Sequence, residues 1–295
     1  MAAMLHPDLE IGVVYPQIEL RGDPDAVRAI GDAVEDLGYD HLLAYDHVLA
    51  AEHADRDPEL WGPYDEDDPF HDPFVLFAYL AGRTDRLKFT TGVIILPQRQ
   101  TALVARQAAD VAILSGDRLR LGVGVGWNWV EYDALGQDFR TRGRRADEQI
   151  ELLRRLWSEP VVTFAGDFDS VERAGIHPRP AQPIPIWIGG FGDAAYRRCA
   201  RSGDGFLHAG GGDRAVEGMA RVRQLAVEAG RSPDAIGAEA MVMSTKGPAA
   251  VAERVHRWAE AGGTHATVIT MGLGLDSAEA HVDYVSAVAE AVRAG

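Results

Sequence analysis

The sequence predicts one α/β domain, spanning residues 1–295, that folds as a closed (β/α)₈ TIM barrel. Eight short apolar segments alternate with eight amphipathic segments along the chain. The apolar segments show little polar alternation, which is typical of parallel strands covered by helices. The length fits a barrel of about 250 residues with insertions. A doubly wound sheet with a second domain is the alternative, but no change in composition divides the chain.

The eight predicted strands are short runs rich in Val, Ile, Leu and aromatic residues. They are residues 9–16, 41–47, 87–96, 118–126, 184–190, 204–210, 236–244 and 264–272. Each is followed by a segment with apolar residues at helical spacing. These predicted helices are residues 23–38, 73–83, 101–116, 142–159, 193–203, 213–230, 249–262 and 278–293.

The first predicted helix, residues 23–38, illustrates the sequence signals on which the helix predictions rest. Val27, Ile30 and Val34 recur at a spacing of three and four residues, which places them on one face. Pro24 suits the first helical position, and Gly38 suits the position just after the helix end.

Two insertions interrupt the alternation. Residues 47–72, after the second strand, lack periodicity, and aromatic residues are interleaved there with acidic ones. Loops of this length in compact domains are usually functional or disordered, and this one is predicted to cover an active site. Residues 160–183, between the fourth helix and the fifth strand, read as a β-hairpin with a proline-rich return.

Composition narrows the function classes. The net charge of −16 and a pI near 5.0 argue against nucleic acid and anionic membrane partners. The chain has no apolar run of the roughly 18 residues that a membrane span needs, and its start lacks the pattern of a secretory leader. We therefore expect a cytoplasmic protein. The single Cys199 excludes an internal disulfide and is interpreted as a small buried hydrophobe.

Active sites of such barrels lie where strands end and βα loops begin. The residues predicted at these ends offer no Ser/His/Asp order, no paired carboxylates and no histidine spacing for a metal, so no metal site is expected. Glycine and aromatic residues dominate instead. This lining suits a flat cofactor that carries the chemistry itself, because glycine allows a ring to approach the backbone.

Two glycine clusters, Gly189–Gly190 and Gly210–Gly212, each run directly into a predicted helix. Backbone N–H groups and the helix dipole make such a start a site for a phosphate. Asp193 and Asp213 are expected to cap these helices rather than to face the phosphate. The alternative is that the glycines only form tight turns.

A third glycine run ends the fourth strand, but it does not match a dinucleotide fingerprint. The motif G-x-G-x-x-G places its third glycine at Trp127 or Trp129, depending on where the count begins. Gly124 and Gly126 are instead expected to let a cofactor ring lie close to the strand.

His47 follows Asp46 at the end of the second strand, directly before the first insertion. An imidazole at this place can donate or accept a proton near neutral pH. A satisfied structural histidine is the alternative.

The segments "AYDHVL", "TTGVIILPQRQTALVARQAADVAILSGDRLRLGVGVGWNWVEYDALGQDF", "RGRRADEQIELLRRLW" and "PIPIWIGG…DGFL" together resemble the luciferase-like monooxygenase superfamily. The closer resemblance is to its coenzyme F420-dependent oxidoreductases. It covers nearly the whole chain.

This resemblance implies a barrel with a deazaflavin or flavin ring at its mouth, beside Gly124, Gly126 and Trp127. The cofactor phosphate would lie at Gly189, Gly190 and Gly210 to Gly212. A non-proline cis peptide would fall at Gly92–Val93, behind the ring. The pair Asp46 and His47 corresponds to the Asp-His pair of deazaflavin enzymes, and both are expected to be catalytic.

The family members that oxidise sugar phosphates carry an acidic residue where this chain has Trp127. An apolar or aromatic substrate is therefore expected, in a pocket walled by Tyr15, Trp61, Trp127 and Trp129.

The leading hypothesis is hydride transfer between reduced F420 and an organic substrate, with His47 as the proton donor. The alternatives are an FMNH₂/O₂-dependent monooxygenase of the same fold and a non-catalytic flavin-binding barrel. The resemblance also implies a homodimer, and a separate flavin or F420 reductase that supplies reduced cofactor.

Overall fold

In a computed structural model, which describes residues 5–295, eight parallel strands close into a barrel, as predicted. The eight barrel strands are β1 (Glu10–Val14), β2 (His41–Ala44), β3 (Lys88–Thr91), β5 (Leu119–Gly124), β8 (Ile186–Gly189), β9 (Gly205–His208), β10 (Gly237–Val242) and β11 (His265–Val268). β1 pairs with β11 and β3 pairs with β5, which closes the ring. A short β4 (Ile94–Ile95) continues the third strand beyond Gly92–Val93 and also pairs with β5.

Ten helices accompany these strands within the described residues. They are α1 (Gln17–Leu20), α2 (Pro24–Asp36), α3 (Pro73–Ala81), α4 (Thr101–Ser115), α5 (Trp129–Ala134), α6 (Arg142–Ser158), α7 (Asp193–Ser202), α8 (Asp213–Glu228), α9 (Pro248–Glu260) and α10 (Ala278–Ala294). Eight of them match the predicted helices, whereas the short α1 and α5 were not predicted. Single 3₁₀ turns lie at Leu96–Gln98, Phe139–Thr141 and Pro233–Ala235.

Two of these helices begin beside the mouth of the barrel, and side-chain caps fix where they start. The Asp72 carboxylate accepts a hydrogen bond from the N–H of Val75 at the start of α3. The Asn128 side chain accepts one from the N–H of Val130 at the start of α5. Such caps satisfy N–H groups that have no partner within the helix.

A buried ionic layer fills the barrel near the amino ends of its strands. Nε2 of His41 lies 2.8 Å from Oε1 of Glu239, and Nη2 of Arg120 lies 2.8 Å from Oε2 of the same carboxylate. The hydroxyl group of Thr267 also forms hydrogen bonds with His41 and Glu239. Burial alone would raise the pKa of Glu239, but Arg120 and His41 outweigh it and hold that pKa below its usual value.

An apolar layer covers this ionic layer. Its buried members are Val14, Leu43, Trp187, Leu207, Met241 and Met271. The Arg120 guanidinium lies 4.3 Å from the ring centroid of Trp187, so the two layers are in direct contact. The upper side of the apolar layer faces the mouth of the barrel, where Leu207 and Met241 line a cavity.

Both predicted insertions are present. The second forms an antiparallel hairpin of β6 (Val162–Ala165) and β7 (Ser170–Ala174). Its turn is held by the Glu148 carboxylate, which accepts hydrogen bonds from three successive N–H groups, those of residues 167–169. The first insertion, residues 47–72, contains no helix or strand and lies at the mouth. We call residues 48–72 the lid.

The contact between β3 and β5 allows a test of the barrel's packing. Gly122 is buried, and a Cβ at this position would collide with the backbone carbonyl oxygen of Thr91. Gly122→Ala is therefore expected to lower the free energy of unfolding by about 1–3 kcal/mol, measured by urea denaturation. Gly82→Ala is the control, since its Cβ would meet only ordinary contacts. Equal stability of the two variants would show that a Cβ at Gly122 is accommodated without cost at this contact.

Candidate active site

A cavity of about 530 Å³ opens at the carboxyl ends of the barrel strands. This is the end at which TIM-barrel active sites lie. Its lining comes mainly from strand ends and the loops that follow them, together with Pro63 and Tyr64 of the lid. The lining residues that the sequence predicted for the site are Asp46, His47, Gly92, Val93, Gly124, Gly126, Trp127, Gly189 and Gly190.

His47 stands at the cavity wall, three residues after β2 ends. Three aromatic rings surround its imidazole. The ring centroids of Phe70, Tyr64 and Trp127 lie 4.7, 5.4 and 5.6 Å from that of His47. The side chain is only 10% exposed. A proton on this ring is therefore shielded from bulk water by apolar surface while it faces the cavity.

Glu131 also belongs to this site, although sequence reasoning did not select it. It is almost fully buried, on α5, and its Oε2 lies 3.3 Å from Nδ1 of His47. Its Oε1 accepts hydrogen bonds from the N–H groups of Val48 and Leu49, at 2.6 and 3.0 Å. The sequence did contain a signal, because Glu131 follows the glycine run and lies three residues after Asn128, the cap of α5. Because α5 was not predicted, that position could not be oriented.

Asp46, for which the family resemblance implies a catalytic role, lies in the cavity lining. Its side chain is fully buried, and Oδ1 lies 2.6 Å from Nη2 of Arg99. Its Oδ2 accepts a hydrogen bond from the N–H of Ile95 in β4, at 3.0 Å. Arg99 in turn pairs with Asp72, at the junction of the lid and α3. Both Asp46 oxygens are thus occupied by groups that shape the cavity wall, and a catalytic role for Asp46 stays a prediction.

The floor of the cavity combines glycine backbone and Val93 with Leu207 and Met241 of the apolar layer. Gly92 and Val93 are joined by a cis peptide bond, as the family resemblance implied. A Cβ at Gly124 or at Gly189 would collide with the side chain of Val93. These neighbouring strand ends therefore meet around Val93, and the two glycines contribute only backbone to the lining.

The two glycine-led helices do not begin as predicted. Gly192 and Gly212, not Asp193 and Asp213, occupy the cap positions of α7 and α8, and neither helix has a side-chain cap. Asp193 pairs instead with Arg197 and Arg221. The first N–H groups of both helices therefore remain available to an anion.

The second glycine cluster lies outside the cavity itself. Gly210, Gly211 and Gly212 are exposed, and Ala209 beside them lines the cavity. They flank the opening, so their assignment to a cofactor phosphate stays a prediction.

Three predicted pocket residues do not line the cavity. Tyr15 is fully buried in the core, and Trp61 is 80% exposed on the lid. Trp129 is half-buried on α5, where the Arg56 guanidinium lies 5.8 Å from its ring centroid. Of the four aromatic residues predicted for the pocket, the structure places only Trp127 in the lining.

The lid is fastened to Trp127. Its backbone at Gly62 lies so close to the indole that a Cβ there would collide with the ring. The ring of His53, also in the lid, meets Trp127 edge-on at 6.0 Å between centroids. Trp127 therefore contacts both the lid and His47, and the lid residues Tyr64 and Phe70 also contact His47 directly.

Two tyrosine hydroxyls add to the site and were not predicted. Tyr45 lines the cavity, and its hydroxyl donates only to Sδ of Met241, at 3.6 Å. The ring centroid of Tyr64 lies 6.3 Å from that of Tyr45. Burial, helped by the charges of Asp68 and Glu19, raises the pKa of Tyr64 to about 12, so it is a neutral donor at physiological pH.

The lining is otherwise apolar. Among the residues that line the cavity, all within the described range, there is no Arg or Lys. No group of three or more His, Cys, Asp or Glu side chains in residues 5–295 is arranged to hold a metal ion. In the same range, no helix has the length and apolar character needed to cross a membrane.

A parallel barrel whose carboxyl-end cavity is lined by glycine backbone and, among the described residues, by the single histidine His47 is suited to a flat organic ligand. Residues 8–291 match the family model described as luciferase-like monooxygenase. The chain belongs to the luciferase-like monooxygenase family, as the sequence indicated.

Curated relatives match over part of their length. An uncharacterized protein of Mycobacterium tuberculosis is 45% identical over 166 residues, which is 56% of this chain and 57% of that protein. An F420-dependent glucose-6-phosphate dehydrogenase of Intrasporangium calvum is 37% identical over 152 residues, 49% of this chain and 46% of that enzyme. The chain thus spans about half the length of these relatives.

Solved structures match over nearly the whole chain. An F420-dependent secondary alcohol dehydrogenase in complex with an F420-acetone adduct has a TM-score of 0.79 at 17% identity, covering 97% of this chain and 100% of that one. A long-chain alkane monooxygenase has a TM-score of 0.76 at 13% identity, covering 95% and 91%. At these identities the likeness shows a common fold.

Proposed function

We propose that the protein is an oxidoreductase that transfers a hydride between coenzyme F420 and an uncharged, largely apolar or aromatic organic substrate. The observation that carries this proposal is His47, an imidazole held beside an apolar cavity lined in part by glycine backbone. Relatives named for F420 dependence at 37% and 35% identity support the choice of cofactor.

The residues present fit such a cofactor. A cavity of about 530 Å³ lies within the range of sites that enclose small organic ligands. Gly92, Gly124 and Gly189 provide a surface without side chains for a planar ring. The uncapped starts of α7 and α8, at Gly192 and Gly212, offer N–H groups for a phosphate at the edge of the cavity.

When bound, F420 supplies or receives the hydride, and the chain's own side chains supply the rest. Within the described residues, Nε2 of His47 has no hydrogen-bond partner, so it is available to take up a proton and pass it to a substrate atom. The surrounding rings of Phe70, Tyr64 and Trp127 exclude water from that position. General acid catalysis of this kind typically contributes about 10²–10⁴-fold.

The charge of the lining limits the substrate. A phosphorylated substrate in this cavity would find no Arg or Lys side chain in the lining, and burying an unpaired charge is costly. Trp127 occupies the place where the sugar-phosphate branch of the family carries an acid. We therefore infer a substrate without charge, whose reducible or oxidisable group reaches His47 and Tyr45.

The cofactor assignment is tested by titrating the purified protein separately with F420 and FMN and following ligand fluorescence. We expect F420 to bind and FMN to bind at least about tenfold more weakly, which corresponds to 1.4 kcal/mol. Ala209→Trp, which fills the cavity edge, should weaken F420 binding, whereas Ala78→Trp on the outside of α3 should not. Tight FMN binding without F420 binding would favour the monooxygenase alternative.

A further inference from the structure

Glu131 makes three contacts through its two oxygens, and two of them are fixed by the backbone. Oε1 receives the N–H groups of Val48 and Leu49, which are the first residues of the lid. Oε2 faces Nδ1 of His47 at 3.3 Å. Because main-chain N–H groups can only donate, they hold the carboxylate in one orientation.

This arrangement determines which nitrogen of His47 carries its proton. A carboxylate accepts hydrogen bonds and does not donate them, so Nδ1 of His47 must be the donor in the contact with Glu131. In the neutral imidazole the proton then resides on Nδ1, and Nε2 presents its lone pair. Nε2 is the nitrogen with no protein partner among the described residues, and it is left for a ligand in the cavity.

We infer that Glu131 is a positioning residue that sets the tautomer of His47 and, through the same carboxylate, fastens the stem of the lid. The inference rests on the proposed function in that it treats His47 as the proton carrier. The lid contact with Glu131 and the readiness of His47 to accept a proton at Nε2 then occur together, in the same structural state. If the lid stem lifts from Glu131, the carboxylate is released and the orientation of His47 is lost with it.

Glu131→Gln tests the tautomer. The glutamine oxygen must keep facing Val48 and Leu49, so its NH₂ group faces Nδ1 of His47 and donates to it. The proton of His47 should then move to Nε2, with the lid stem still held. Glu148→Gln is the matched control, because Glu148 also anchors successive backbone N–H groups, but at the hairpin.

The readout is the ¹⁵N chemical shift of the ring nitrogens in protein labelled at histidine, at about pH 8.5, where an imidazole is neutral. The signal of His47 is identified among the ten histidines by its loss in His47→Gln. We expect the Nδ1–H form in the wild type and in Glu148→Gln, and the Nε2–H form in Glu131→Gln. An unchanged tautomer in Glu131→Gln overturns the inference.

Hydrogen exchange of the lid stem gives a second readout. The amides of Val48 and Leu49 should stay protected in Glu131→Gln and exchange faster in Glu131→Ala, whereas equal protection in both variants refutes the fastening role. These measurements need no cofactor or substrate. If F420 fails to bind but the tautomer changes as expected, the proposed function fails and the role of Glu131 stands.

Discussion

Replacing His47 with alanine is expected to slow hydride transfer by about 10²–10⁴-fold while the affinity for F420 stays within a few-fold of wild type. The imidazole lies at the cavity wall and is the lining group best placed to exchange a proton with a substrate. The floor on which a cofactor ring would lie is built by other residues. The substitution should therefore lower the rate of hydride transfer and leave the affinity for F420 nearly unchanged.

The rate is measured by stopped-flow oxidation of reduced F420 with a panel of ketones, aldehydes and enones, and the affinity by fluorescence titration. His53→Ala is the matched control, because His53 touches Trp127 from the lid and does not line the cavity. It should retain the rate within a few-fold. A His47→Ala variant as fast as the wild type would exclude His47 as the proton donor.

Replacing Asp46 with alanine is expected to lower the free energy of unfolding by about 3–5 kcal/mol, since it removes one partner of a buried ion pair. Arg99, only 13% exposed, would keep its contact with Asp72 but lose the closer carboxylate. The N–H of Ile95 in β4 would lose its acceptor as well. We expect β4, and with it the wall behind Val93, to become less ordered.

Chemical denaturation measures this change. Asp72→Ala is the comparison, because Asp72 is more exposed and its loss should cost about 0.5–2 kcal/mol, as for other helix caps. The double variant Asp46→Ala with Arg99→Met should be less destabilised than the sum of the single changes, since it leaves no buried unpaired charge and the more exposed Asp72 can be solvated. Additive effects would show that the two side chains do not depend on each other.

The barrel could be predicted from sequence because its signals are periodic. The helical spacing in α2 and the apolar run of β5 each extend over several residues, so single exceptions do not obscure them. α5 has only six residues, too few to show a period, and its omission concealed Glu131. The family resemblance placed the cis peptide at Gly92–Val93, which no periodicity could indicate.

The site was harder to predict where the role of a residue depends on the direction of its side chain. Asp46 and His47 both line the cavity, but the Asp46 carboxylate is bound by Arg99 and by the N–H of Ile95, contacts that no sequence pattern indicated. Trp61 lies in a segment without regular structure, where spacing says nothing about direction, and its ring faces solvent. Tyr15 extends beyond β1 into the core. Only contacts distant in sequence distinguish such cases.

The contacts of Trp127 with both the lid and His47 make this indole a built-in spectroscopic probe. Its ring meets Gly62 on one side and lies 5.6 Å from the imidazole centroid on the other. With fluorine-labelled indoles, the six tryptophans give separate resonances, and Trp127→Phe identifies the one in the site. The line shape of that resonance would record how often the mouth of the barrel opens, before any substrate is known.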